Sequence, residues 1–389
     1  MFLKVNRDEI IEGLQKSANI IPSKTGAAFL RTIWLRCADG RLNIMSTDSN
    51  LEFCGSYPAQ ITEEGLAGVP GRNLYDLVRK LPSGELDIRT DEGRKKVVLR
   101  QGSRKYELPV NDEEWFQKFT AFPEEGSVFW SGDFLHEIID KIGFCISDED
   151  SMEAIACLYL MPVPSETGEK RIEACGLNGH QFAMLRFIND DVYDLLPKEG
   201  VLIQKKYLAE LKKWLTADEI ELNISEKRLF FRTGDKQETF SLPLSYYQYP
   251  NYRNFLSKLD DPSASKLGVA RQEMIDSLER ILIFNTDSNR CTHFHFQASE
   301  VVLYSQGQET GTATEAITAQ FSGEIERIAF PTRNLIDILN HFGSAQVRFV
   351  VTGPEAPCGI TGPDDAEYQV IVMPMMIQEE TYYTEEDVE

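Results

Sequence analysis

Three stretches of this chain superpose without a gap: GVPGRNLYDLVRKLP from Gly68, VLIQKKYLAELKKWL from Val201 and AFPTRNLIDILNHFG from Ala329. Anchored at Pro70, Gln204 and Pro331, they align Leu74 with Leu208 and Leu335. They also align Leu77 with Leu211 and Ile338, and Leu81 with Leu215 and Phe342. Apolar residues at these intervals share one helical face. Each stretch therefore predicts a short amphipathic helix entered from a strand. Nothing else in the sequence restricts the fold as much, because whatever is built is built three times.

Other signals recur at a similar spacing. Strand-like runs closing on proline stand at RKYELP, ETFSLP and QVIVMP, ending at Pro109, Pro243 and Pro374. Amphipathic helix candidates open each unit: NRDEIIEGLQKSANI, SGDFLHEIIDKIGFC and ARQEMIDSLERILIF. A hairpin is expected at TIWLRCADGRLNIMS, with Asp39-Gly40 as its turn. The joins FQKFTAFPEEGSVFWSG and FLSKLDDPSASKLG carry linker residues. The expected division is 1–125, 126–257 and 258–377, each of ordinary domain size. Residues 378–389 remain as an acidic tail, expected to be disordered and solvated.

Charge sharpens the reading. The chain has 40 Lys and Arg against 62 Asp and Glu, a net −22. Taken whole, that opposes phosphate binding, which needs local positive charge. Yet Arg72, Lys206 and Arg333 occupy one position of the repeated helix, and Arg79 and Lys213 another seven residues on. Positions seven apart lie on one helical face, opposite the leucines. The second helix adds Lys205 and Lys212. For one helix the plain alternative is a solvated surface. Three copies in phase, in so acidic a chain, predict a positive surface inside a negative protein.

The seven cysteines are scattered, with no Cys-x-x-Cys pair, which fits a reducing cytoplasm. The N-terminus lacks a signal-peptide pattern, and no apolar run suits a membrane span. CTHFHF puts Cys291, His293 and His295 on one face of a strand, with Thr292, Phe294 and Phe296 on the other. A fourth metal ligand is not indicated, and neither metal nor cofactor is expected. His180 has no nucleophile at a known spacing, and no phosphate-binding, dinucleotide or hydrolase motif is present. A catalytic role is not expected.

The repeated helix, together with NGHQFA at 178–183, YPNYRNFL at 249–256 and the terminal VIVMPMMI, resembles the bacterial DNA polymerase III beta subunit, the sliding clamp. The resemblance spans residues 1–377. It implies an α+β fold of three repeated clamp domains. Two chains would close head to tail into a ring, with helices lining the pore and sheets outside. The function it implies is that of a processivity factor encircling double-stranded DNA without reading sequence. Its partners would be the polymerase catalytic subunit, the clamp loader and other proteins carrying a clamp-binding peptide, at the bacterial nucleoid. The pore would use Lys24, Arg72, Arg79, Lys205, Lys206, Lys213 and Arg333. The partner-peptide pocket would use Ile155, Leu177, Gly179, His180, Phe182, Pro250 and Phe255, with Ile371, Met373, Pro374 and Met375 as its last wall. Methionine suits a surface that repacks around several ligands. Tyr106 and Phe284 are the expected contacts between chains.

Some positions depart from the family pattern. Met152-Glu153 stands where relatives carry Arg-Pro, which puts DNA contact by that loop in doubt. Gln181, Asn254 and Met376 stand where cations are usual, so a less cationic pocket rim and less acidic partners are expected. The tail beyond Ile377 is extra. It holds Tyr382 and Tyr383 among acids and is a candidate competitor for the pocket. The alternative from another class is a three-domain interaction scaffold with no DNA role, its basic faces merely solvated.

Overall fold

The computed structural model describes residues 1–22, 27–93, 95–149, 152–164, 168–259, 261–287, 289–307 and 309–376. Lys24 and the acidic run 378–389 lie outside the described residues. Among the described residues the helices are, in chain order, α1 (Arg7–Ile20), α2 (Gly71–Lys80), α3 (Gly132–Gly143), α4 (Asp190–Leu195), α5 (Lys205–Trp214), α6 (Arg253–Leu259), α7 (Arg271–Leu282) and α8 (Thr332–Asn340). The repeat segments become α2, α5 and α8, and their anchors Pro70, Gln204 and Pro331 are the N-caps. A proline there forfeits no helical hydrogen bond, because first-turn N–H groups have no acceptor within the helix. Each helix follows a strand and buries the predicted face: Leu74 with Val78, Leu208 with Leu211, Leu335 with Ile338. Leu77 is only half-buried, because Val78 takes the inward position. The opening helices are α1, α3 and α7, as expected.

Packing gathers the chain into two compact units. The first comprises Met1–Ile139, Leu160–Ile172 and Ile188–Tyr246. One of its sheets runs Gln60–Glu63, Phe2–Asn6, Glu85–Thr90, Lys96–Gln101, Arg104–Pro109, so the last is an edge strand. The expected hairpin pairs Thr32–Ala38 with Arg41–Thr47. Its turn places both Asp39 (φ 53°) and Gly40 (φ 72°) in the left-handed region, the geometry that matches strand twist. Within the same sheet, Glu238–Pro243 pairs antiparallel with Glu52–Pro58, setting Phe240 opposite Phe53. A strand of the expected middle domain thus extends a sheet of the expected first one. Buried Glu238 sits at this seam, accepting from Tyr57 Oη at 2.8 Å and from Lys16 Nζ at 2.6 Å. Burial pushes the Tyr57 phenol far up, and Glu238 adds to the shift, so the phenol stays protonated and donates.

The second unit comprises Asp140–Tyr159, Glu173–Phe187 and Tyr247–Glu389. Its sheet order from Gln181–Ile188 is Tyr368–Val372, Cys358–Thr361, Gln346–Val351, Ser265–Ala270, Gly311–Ser322, Glu300–Gly307, Cys291–Phe296 and Arg327–Pro331. The long strand Gly311–Ser322 changes partner midway. Gly311 to Thr318 pair with Gly307 to Glu300, and Ala319 to Ser322 pair with Val269 to Lys266. Residues 311–317 therefore keep one open edge among the described residues. Under the sheet, Asp365 accepts from the Gly343 and Ser344 amides, the Ser344 hydroxyl and Lys141 Nζ.

CTHFHF is a strand, with Thr292 and Phe294 fully buried. Cys291 is buried as well, its thiol 3.0 Å from Asn289 Oδ1 and 3.7 Å from His293 Nε2. No group of three or more His, Cys, Asp or Glu is placed to hold a metal among the described residues.

Candidate functional site

The closing strand Tyr368–Val372 ends two residues before Pro374, not at it. The reason lies in what claims the next backbone groups. Met373 N donates to His180 O at 2.9 Å, and Met375 N donates to Ala329 O at 2.8 Å. The methionine run is thereby slung from the start of the Gln181–Ile188 strand to the Arg327–Pro331 strand, whose end opens α8. On its first side, Asn178 Oδ1 accepts from the amides of His180 and Gln181 at 3.0 and 2.9 Å. Gly179 adopts φ +88° in that turn, a conformation glycine reaches without steric cost. His180 is thus presented at the surface.

Between these supports lies a cavity of about 1,020 Å³. His180, Met373, Pro374 and Met375 line it, together with Arg333 and Asn334 from the first turn of α8. Leu282, Asn285, Asp287, Arg290, Glu309 and Thr310 complete the lining. Met375 is 42% and Met376 74% exposed, so the apolar run continues onto open surface.

The other expected pocket residues support this wall from beneath or stand beside it. Phe182 is 1% exposed and stacks on Tyr252, ring centroids 5.2 Å apart. Phe182 also pairs in register with Ile371, itself buried. Phe182 and Ile371 are therefore core residues that hold the wall rather than line the cavity. The Ser147 amide lies 3.1 Å from Ile155 O and 3.2 Å from Leu177 O, which draws those two residues together. Pro250 and Phe255 are half-buried, and neither lines the cavity. The Tyr252 ring between them is fixed by its hydroxyl, which donates to buried Glu173. Glu173 also holds Arg186 Nε at 3.0 Å. Gln181 is buried rather than on the rim, its amide oxygen facing the Cys145 thiol, because strand pairing turns it inward.

The basic stripe divides in a way that spacing could not reveal. Arg72 is exposed without an ion pair among the described residues, and Lys206 is exposed over the Tyr207 ring at 5.1 Å. Arg79 pairs with Asp76 at 3.2 Å, and Lys213 with Glu210 at 2.7 Å. Lys205 is half-buried. Arg333, the third member of the stripe, lines the cavity. At the expected chain contacts, Tyr106 is half-buried on the edge strand Arg104–Pro109. Phe284 is half-buried and accepts a hydrogen bond from the Thr310 hydroxyl. Sequence reasoning missed its neighbour Ile283, which is 72% exposed. It extends the apolar run Ile281–Phe284 past the inward positions Leu278 and Ile281, and that excess was the available signal.

Residues 1–120 match the family model of the DNA polymerase III beta subunit N-terminal domain, and residues 261–376 that of its C-terminal domain. The beta sliding clamp of Caulobacter vibrioides is 23% identical over 382 residues, covering 97% of this chain and 100% of the relative. That of Escherichia coli is 22% identical over 381 residues with the same coverage. Among solved structures, the Caulobacter crescentus pol III beta superposes with a TM-score of 0.87 at 22% identity. A Bartonella birtlesii sliding clamp bound to griselimycin superposes with 0.88 at 23%. Each covers 97% of this chain and all of the matched chain. With two family models in the expected order over more than half its length, the chain belongs to the DNA polymerase III beta subunit family.

Proposed function

We infer that this chain is a sliding clamp, a non-catalytic processivity factor that encircles duplex DNA and tethers a polymerase to it. The observation that carries the reading is the likeness to beta sliding clamps over 97% of the chain, with the family's two terminal domains in order. Three clamp domains, 1–125, 126–257 and 258–377, are the natural division. The middle one lends a strand to each compact unit, through the pairings of Glu238–Pro243 and Gln181–Ile188. Two chains form a head-to-tail ring. The open edge at Arg104–Pro109 of one chain meets the open edge at 311–317 of the next, which removes both edges from solvent. Arg72, Arg79, Lys205, Lys206 and Lys213 face the DNA backbone, where weak non-specific contacts permit sliding. The cavity beside Met373–Met375 takes short peptides with apolar anchors from the polymerase, the clamp loader and other partners. The setting is the bacterial cytoplasm, on nucleoid DNA.

The ion pairs of Arg79 and Lys213 favour a second reading, a scaffold whose basic faces are merely solvated. Retention on DNA separates the two. After loading by a clamp loader, the protein should stay on nicked circular DNA through a high-salt wash and leave when the circle is linearised. Equal retention on circle and line removes the clamp reading.

A further inference from the structure

The repeat assigns Arg333 to the stripe shared by Arg72 and Lys206, yet in the fold it opens into the cavity beside Met373, Pro374 and Met375. We propose that Arg333 is a specificity-determining residue of the partner site, reading a carboxylate that the partner peptide carries next to its apolar anchor. The inference rests on the partner-pocket reading above. Its strength lies in how the charges of the cavity are already committed. Arg290 already has an acid within reach, Asp287 at 3.1 Å, in an exposed pair. Arg333 is exposed and has neither an ion pair nor a hydrogen bond among the described residues. It stands in the first turn of α8, whose N-cap Pro331 offers no side-chain acceptor, so the positive end of the helix reinforces its charge. A guanidinium beside a soft apolar wall suits a ligand that is apolar at one point and anionic at the next.

Glu309 gives the cavity polarity. It lines the same space, has no partner among the described residues, and makes no ion pair with Arg333. An acidic side chain is therefore drawn toward Arg333 and repelled by Glu309. The positions Gln181, Asn254 and Met376 suggested partners with little acid. Arg333 supplies a cation from an element those positions do not sample.

The test uses the full chain and two fluorescent peptides that share leucine and phenylalanine anchors. One carries Glu beside the anchor and the other Gln. The wild-type protein should prefer the Glu peptide about threefold to fivefold, the size of a partly exposed ion pair. Arg333→Ala should abolish that preference, weakening the Glu peptide more than the Gln peptide. Arg333→Glu should reverse it, and Arg333→Lys should restore part of it. Equal binding of both peptides to wild type overturns the proposal and leaves the pocket intact. So does a preference that survives in Arg333→Ala. Failure of both peptides to bind wild type overturns the pocket reading itself. Arg333 is exposed on one helical turn, so its variants should fold. Loss of retention on nicked circles in Arg333→Ala, with the peptide preference kept, returns the residue to the DNA stripe and overturns the proposal.

Discussion

At the scale of single residues, buried charges in this chain are held by several donors at once, and Asp365 shows what that does to stability. Its side chain is 5% exposed. It accepts from Ser344 Oγ at 2.6 Å, Ser344 N at 2.8 Å and Gly343 N at 3.0 Å, with Lys141 Nζ at 3.2 Å. Burial pushes the carboxyl up, but the hydrogen bonds from Ser344, Gly343 and Lys141 outweigh it and leave it below the usual range. A carboxyl depressed in the folded state stabilises above its unfolded pKa, about 3.9, and loses that contribution as pH falls through the folded value. Asp365→Ala strands these donors and should cost about 2–4 kcal/mol at neutral pH. The gap in urea midpoint between wild type and variant should narrow once pH drops below the ordinary carboxylate range. A gap of constant width down to strongly acidic pH would show that the depressed carboxyl contributes nothing.

At the scale of elements, two opposing effects meet at Gly13 on α1. Glycine inside a helix costs about 1 kcal/mol relative to alanine, so Gly13→Ala gains that much in isolation. A Cβ there would stand 2.0 Å from Tyr57 Oη. The ring cannot withdraw freely, because its hydroxyl is bonded to Glu238 at the strand seam. Overpacking of this kind costs about 1–3 kcal/mol, and the lost hydrogen bond adds to it. The variant should therefore lower the melting temperature despite better helix propensity; a rise would mean the Tyr57–Glu238 contact is dispensable. The same element explains what the sequence could disclose. The eight helices among the described residues include all six that spacing predicted, because a buried face repeats every 3.6 residues and leaves a readable trace. The pairing of Glu238–Pro243 with Glu52–Pro58 left none, since strand edges bond through backbone that every residue shares. Gln181 was misjudged for a related reason: position in a motif does not say which face of a strand points inward. Arg333 was placed correctly on its helix, but helical phase does not disclose what lies across from the first turn.

At the scale of the whole molecule, the reading requires two chains to close on each other, and the open edges carry the chemistry for it. Ile283 is 72% exposed at the end of α7, and Phe284 beside it is tied through its carbonyl to Thr310, where the open-edged strand begins. A lone exposed isoleucine needs no explanation. One set beside an unpaired strand edge marks a surface that gains from being covered. This rim carries acids at Glu309 and Glu315, the latter held by Arg280 at 2.7 Å. The edge strand Arg104–Pro109 carries Arg104 and exposed Lys105, the latter paired with Glu107 of the same strand at 2.6 Å, which leaves the strand net positive. Opposite charge on two different surfaces favours a heterologous, head-to-tail contact over a self-complementary one. The wild-type chain should then sediment at about twice its 44.2 kDa. Ile283→Asp places a charge in the covered patch and adds to an acidic rim. At micromolar concentration it should shift the mass to that of one chain without lowering the melting temperature of either unit. It should also abolish retention on nicked circles while peptide binding persists, because an opened ring cannot hold DNA topologically but keeps its cavity. A variant that still sediments as two chains, or that keeps its grip on the circle, would place the contact between chains elsewhere.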